Sequence, residues 1–137
     1  MGSIIALYGR SGCGKTESIK NVFDLLKSKY PSANVKVIFT GKDIKAIITG
    51  INGLTIGIES EGDPGFRLEQ SLKDFVKAKC DIIFCASRTR GTTVDWINSH
   101  LGKYAVDWTK QKYLSSKQAQ INNYQGIAQD LIAKAGL

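Results

Sequence analysis

Short continuous apolar runs alternate with helical stripes along this chain, and that alternation constrains the fold more than any other feature. Ile4–Tyr8 is an unbroken apolar run that stops at Gly9, the pattern of a strand buried on both faces. Ile19, Val22, Phe23 and Leu26 then recur at helical spacing within about 16–29. Tyr30-Pro31-Ser32 ends that helix, because proline cannot continue it. Val35–Phe39 reads as a second strand. Lys45–Ile51 and Leu54–Glu59, both rich in Ile and Thr, flank Asn52-Gly53. That pair favours a type I′ turn, whose two positions need positive φ, so a hairpin is predicted. The Gly-rich loop 60–66 leads to a helix over 67–79 carrying Leu68, Leu72, Phe75 and Val76, then to a buried strand at Asp81–Ala86. A short helix with Val94, Ile97 and Leu101 follows, entered through Thr92 and Asp95 at capping-box spacing. Tyr104–Tyr113 reads as a less buried strand. Ile121, Tyr124, Ala128, Leu131, Ile132 and Ala135 mark a last helix, entered through Ser115 and Gln118. The order β-α-β-β-β-α-β-α-β-α predicts an α/β fold in three layers. Its sheet is mainly parallel, with one antiparallel hairpin and helices on both faces.

Composition narrows the class. The 137 residues fit one domain over 1–137. Hydrophobic residues at 42% and charged residues at 23% are ordinary for a soluble protein. No apolar run approaches the roughly 18 residues that span a bilayer, and Met1-Gly2-Ser3 lacks the basic start of a secretory leader. Cys13, Cys80, Cys85 and the single His100 are too few and too scattered for a disulfide framework or a four-ligand zinc site. A reducing cytoplasm is the expected setting. Nineteen bases against 12 acids give a formal charge of +7, concentrated in the second half. Such a surface attracts phosphate-bearing partners, from nucleotides to nucleic acid. Trp96, Tyr104, Trp108, Tyr113 and Tyr124 lie amid Lys103, Lys110, Lys112 and Lys117. Rings interleaved with cations can stack single-stranded nucleic acid, although core packing accounts for aromatics more often. Trp108 and Lys110 share a face of an alternating strand.

Gly9-Arg10-Ser11-Gly12-Cys13-Gly14-Lys15-Thr16 satisfies G-x-x-x-x-G-K-S/T in full, between a predicted strand and a predicted helix. The glycines let successive amides curl toward phosphate oxygens. The helix that opens near Lys15, with Glu17 in its first turn, aims its positive end at the same place. Lys15 reaches the β- and γ-phosphates, and the Thr16 hydroxyl suits Mg²⁺. Cys13 is small enough for the loop, and amides beside Lys15 would lower its pKa and make it redox-sensitive.

This run resembles the Walker A motif of the P-loop nucleoside triphosphate hydrolase superfamily. The resemblance implies a P-loop NTPase fold over nearly the whole chain. It also implies ATP or another NTP bound with Mg²⁺ by Gly9, Arg10, Ser11, Gly12, Cys13, Gly14, Lys15, Thr16 and Glu17. Such a site needs a carboxylate at the end of a neighbouring strand. Leu54-Thr55-Ile56-Gly57-Ile58-Glu59 is the best candidate, with Glu where Asp is usual. Glu59-Ser60-Glu61-Gly62 is similar in spacing to the D-x-x-G element of GTPase-like proteins. That likeness implies Glu59 with Thr16 at the metal and Glu61 or Asp63 at the attacking water. Alternatively, these acids are solvated and Asp63-Pro64 caps the next helix.

The N-K-x-D element that reads guanine is missing. Its place after Asp81–Ala86 holds Ser87-Arg88-Thr89-Arg90, and Thr40-Gly41-Lys42-Asp43 has the wrong order and comes too early. ATP is therefore the default nucleotide. Arg88 and Arg90 follow a strand at the edge where α/β proteins bind ligands, and can clamp a phosphate; the alternative is a solvated or salt-bridged loop. The expectation is a Mg²⁺-dependent ATPase using Lys15, Glu61, Asp63, Arg88 and Arg90, with turnover dependent on a homo-oligomer or a protein partner. Two alternatives stand beside it. One is a small P-loop kinase. The other is a non-catalytic switch in which nucleotide orders the 60–66 loop to control protein or nucleic-acid binding.

Overall fold

The computed structural model describes residues 2–9, 14–61, 67–111 and 117–137, excepting the side chains of 67 and 117–121. Its elements are β1 (Gly2–Tyr8), α1 (Lys15–Lys29), β2 (Asn34–Thr40), β3 (Ile44–Ile51), β4 (Leu54–Glu59), α2 (Arg67–Lys77), β5 (Ile82–Ser87), α3 (Thr92–Asn98), β6 (Tyr104–Lys110) and α4 (Lys117–Lys134). This is the predicted order. The strands form one mixed sheet in the order β2-β3-β4-β5-β1-β6. β1 pairs in parallel with β5 and β6, and β4 in parallel with β5. β3 is antiparallel to both β2 and β4, so it alone runs against the other five.

The period-two alternation of β1 sorts its side chains between two cores. Ile5 and Leu7 pack with Ile19, Val22, Phe23 and Leu26 of α1 and with Ile127, Ala128, Leu131 and Ile132 of α4. Ile4 and Ala6 pack on the other face with Leu68, Leu72 and Phe75 of α2 and Ile97 of α3. Helices therefore cover both faces, as parallel strands require. The hairpin turns at Asn52 (φ 52°) and Gly53 (φ 77°), the left-handed pair that a type I′ turn demands. Gly57 is the other glycine the fold needs: a Cβ there would lie 2.7 Å from Phe75 Cγ, so only hydrogen lets α2 settle on β4.

Several local expectations are revised. α3 is entered through Gly91 (φ 102°) with no side-chain cap, and the hydroxyl that ties the loop down belongs to Thr93 rather than Thr92. Leu101 lies beyond α3 in a turn and is 54% exposed, so it is not part of the helical stripe. The pair Ser115 and Gln118 falls outside the described residues and side chains, as do Tyr113 and Lys112. The edge strand β2 leaves Val37, Ile38 and Phe39 exposed, and a register shift between Val37 and Phe39 interrupts that edge. Among the described residues, no helix is long and apolar enough to cross a membrane.

Candidate functional site

The parallel strands β1, β4, β5 and β6 all end at one edge of the sheet, and the chemistry-bearing residues collect there. Gly9 follows β1 directly, and its N–H donates to Ser87 O at 3.1 Å, tying the start of the glycine-rich run to the end of β5. Gly14 is the N-cap of α1, with φ 98° and no side chain to cap the helix. The amino end of α1 carries the partial positive charge of the helix dipole, a setting that favours an anion. Gly14 is required twice over. Its φ suits glycine, and a Cβ would sit 2.3 Å from Cε1 of Tyr124 on α4. Arg10, Ser11, Gly12 and Cys13 lie outside the described residues.

Lys15 is buried, and its ammonium donates to the carbonyl of Gly9. The side chain thus reaches back to the residue that follows β1. Glu17 is on the same turn with its side chain exposed. The base of the loop is braced from below. Ser18 Oγ donates to Gln111 Oε1 at 2.8 Å, and Gln111 N–H donates to Tyr8 O at 2.8 Å, so one buried glutamine joins α1, β1 and the end of β6.

The carboxylate on Thr16 is that of Asp43. Thr16 Oγ1 donates to Asp43 Oδ1 at 3.1 Å. The same oxygen accepts from Ser60 Oγ at 3.1 Å, and Ser60 Oγ accepts from Ile44 N–H at 2.8 Å. Lys20 Nζ on α1 donates to Gly41 O at 3.0 Å, which holds the 41–43 loop against the helix. Asp43 was not among the site residues expected from sequence. Its spacing from Thr16 carries no signal. The useful clue lay in the hairpin: β3 runs against its neighbours, so its amino end lies at the edge where the others finish.

Glu59 has different surroundings. It is fully buried, and its carboxylate accepts from Ser71 Oγ on α2 at 2.6 Å and from Glu61 N–H at 3.1 Å. The contact with Ser71 places the side chain on the α2 face, whereas Thr16 is on α1 across the sheet. Ser60, the next residue, points back to Asp43. β4 is also one strand removed from β1, because β5 lies between them. Glu61 is half-buried, with its backbone fixed by Glu59. Asp63 lies outside the described residues.

Arg88 and Arg90 sit on the β5–α3 loop, immediately after the Ser87 carbonyl that receives Gly9. Arg88 N–H donates to Thr93 Oγ1, and Ser87 Oγ donates to the same oxygen, each at 3.1 Å. Thr93 is fully buried, so this loop has a rigid root with the exposed Arg90 at its outer end. Lys15, Thr16, Arg88 and Arg90 are thus brought to one edge, with Asp43 added.

Among the described residues, no three His, Cys, Asp or Glu side chains group as a metal centre. The oxygen-only pair Thr16 and Asp43 fits Mg²⁺, which takes one or two protein groups and completes its shell from phosphate and water. Compared with protein-family models, curated proteins and solved structures, the chain matches none of them.

Proposed function

We propose that the protein binds a Mg²⁺–nucleoside triphosphate, by default ATP, on the loop 9–16 and hydrolyses it. The observation that carries this reading is the contact between Thr16 and Asp43 at the start of α1, beside the buried Lys15. A hydroxyl and a carboxylate sharing a hydrogen bond at a helix N-terminus form the protein's half of a Mg²⁺–phosphate site.

In this reading the amides of the loop and of the first turn of α1 hold the phosphates. Lys15 exchanges its Gly9 carbonyl for a β- or γ-phosphate oxygen. Thr16 and Asp43 would hold the metal, whose positive charge would offset the charge that develops on the phosphates. Asp43 takes the part that sequence spacing suggests for Glu59. Glu59 instead fixes the turn that presents Glu61. Glu61, or Asp63 beyond it, orients water for in-line attack on the γ-phosphorus. The bond to the β-phosphate oxygen breaks, leaving a nucleoside diphosphate, inorganic phosphate and a proton. Arg88 and Arg90, on the loop that follows β5 at the same sheet edge, would stabilise the transferring group.

The test is calorimetric titration of ATP and GTP with and without Mg²⁺, followed by phosphate release on the same sample. ATP should bind in a Mg²⁺-dependent manner and release phosphate. Lys15→Ala removes charge-assisted bonds, so affinity should fall about 10- to 100-fold. Unchanged binding by Lys15→Ala would sink the proposal. Diphosphate formed only with an added acceptor would replace hydrolysis by phosphotransfer.

A further inference from the structure

A cavity of about 340 Å³ opens at the carboxyl ends of β1 and β6, on the face that carries α3. Among the described residues it is lined by Tyr8, Thr89, Val94, Asn98 and Trp108. Tyr8 and Trp108 come from neighbouring strands. Ala6 is in register with Trp108 and Tyr8 with Lys110, so alternation sends both aromatic side chains to one face. Their rings meet edge to face, with centroids 6.1 Å apart and planes at 76°. Both residues remain partly exposed. An aromatic pair in a core is enclosed by neighbours, whereas this pair borders open space. With the two rings near perpendicular, a third flat group can stack on one of them and meet the other edge-on.

The rest of the lining suits such a group. Val94 adds an apolar wall. Thr89 and Asn98, both exposed, put a hydroxyl and an amide at the rim, where they can pair with the edge of a heterocycle. The volume is at the small end for ligand sites, enough for one ring system with its sugar. The surroundings select among flat groups. Tyr8 is the residue before Gly9, Thr89 stands between Arg88 and Arg90, and Lys110 is opposite Tyr8 on the edge strand. A ring held here is next, in sequence or in register, to three cations, a setting that favours a phosphate-bearing substituent.

We propose that this cavity is a nucleobase subsite, in which the base stacks on one ring of the Tyr8–Trp108 pair and meets the other edge-on, while Asn98 and Thr89 read its edge. The choice of a nucleobase rests in part on the phosphate-loop reading, since adjacency to that loop is what selects it. The base belongs either to a free nucleoside or nucleotide or to a single strand. The chemistry is the same for both, and the experiment separates them.

The chain has two tryptophans, so Trp96→Phe leaves Trp108 as the sole indole reporter. The probes are the four common nucleosides, ATP and a short single-stranded oligodeoxynucleotide. At least one nucleoside should quench Trp108 saturably. Quenching by the oligonucleotide at far lower concentration per base would assign the base to a strand, and comparable concentrations would assign it to a free nucleoside. Val94→Phe fills the cavity and should weaken quenching about tenfold or more, the scale of one lost stack. Asn98→Ala, a change at an exposed rim position, should alter the preference among bases. Absence of quenching by every probe would overturn the proposal, as would quenching that neither variant changes. Repeating the titrations in Lys15→Ala separates the two readings. Nucleosides lack phosphate, so their quenching should persist there while ATP affinity falls. Persistent ATP affinity would remove the phosphate loop and leave the base subsite standing.

Discussion

Replacing Asp43 by Asn tests the site at its least expected residue. The substitution keeps an oxygen in the place where Thr16 and Ser60 both donate, each at 3.1 Å, and removes only the charge. Charge-assisted hydrogen bonds are roughly twice as strong as neutral ones. Asp43 is partly exposed, so water screens the difference, and the folded state should lose about 1 kcal/mol or less. The effect on ligand binding should be larger. Carboxylates that orient a metal shell typically contribute 10- to 100-fold in metal affinity, or about 1.4–2.7 kcal/mol. Calorimetry of ATP with and without Mg²⁺ reads this directly. Asp43→Asn should weaken binding by about that factor when Mg²⁺ is present. Without Mg²⁺ it should bind as well as the unaltered protein or better, because one negative charge near the phosphates is gone. Glu59→Gln is the comparison, since that side chain faces Ser71 on α2, and its Mg²⁺ dependence should stay near the unaltered level. The reverse outcome, with Glu59→Gln losing Mg²⁺ dependence and Asp43→Asn keeping it, would refute the argument from strand direction and side-chain face.

Three further outcomes are expected. Gly57→Ala forces a Cβ to within 2.7 Å of Phe75 Cγ in a fully buried layer, so denaturant melts should show a loss of about 1–3 kcal/mol and a Tm lower by about 3 °C or more; an unchanged Tm would mean that α2 shifts freely. The hydrogen bond from the buried Lys45, then that from Gln70, holds the Asp74 carboxyl below its usual 3.8. Its folded-state value is lowered, so its stabilisation is complete above pH 3.8 and is lost as pH falls through the lowered value. Urea midpoints below pH 4 should therefore fall more steeply in the unaltered protein than in Asp74→Asn, and parallel curves would remove this ion pair from the account of acid sensitivity. Burial pushes the thiols of Cys80 and Cys85 up to about 12, with Asp81 and Glu59 adding to the respective shifts. A thiol reagent at pH 8 should leave both unmodified in the folded protein and reach them in denaturant; rapid labelling when folded would show that β5 opens, if at Cys85, or that the α2–β5 connection opens, if at Cys80.

The elements were legible in sequence because each rests on interactions within a few residues. The hairpin is the clearest case. Asn52-Gly53 predicts its turn, and the observed φ values of 52° and 77° follow from the steric freedom of those two residues. The apolar run Ile4–Tyr8 and the stripe Ile19, Val22, Phe23 and Leu26 likewise became β1 and α1, because unbroken and helical periodicities each suit one element. The capping-box expectation at Thr92 failed for a local reason. Gly91 turns the chain at φ 102° and takes the N-cap, and it is Thr93 that the loop bonds. The stripe through Leu101 failed because α3 stops at Asn98.

The site divides along the same line. Gly14, Lys15 and Thr16 are adjacent in the chain, so a short motif suffices to name them. Asp43 reaches Thr16 across 27 positions of sequence, and no spacing rule marks that approach. Nor does any local preference put β5 between β1 and β4, or stand Tyr8 beside Trp108. Those juxtapositions follow from strand order and direction, which depend on how all the apolar faces are buried together. The chain's local chemistry sets a glycine-rich run between a strand and a helix. The reversal of β3, imposed by packing the hairpin onto a parallel sheet, carries Asp43 to Thr16 at the start of α1 while Glu59 turns to the opposite face.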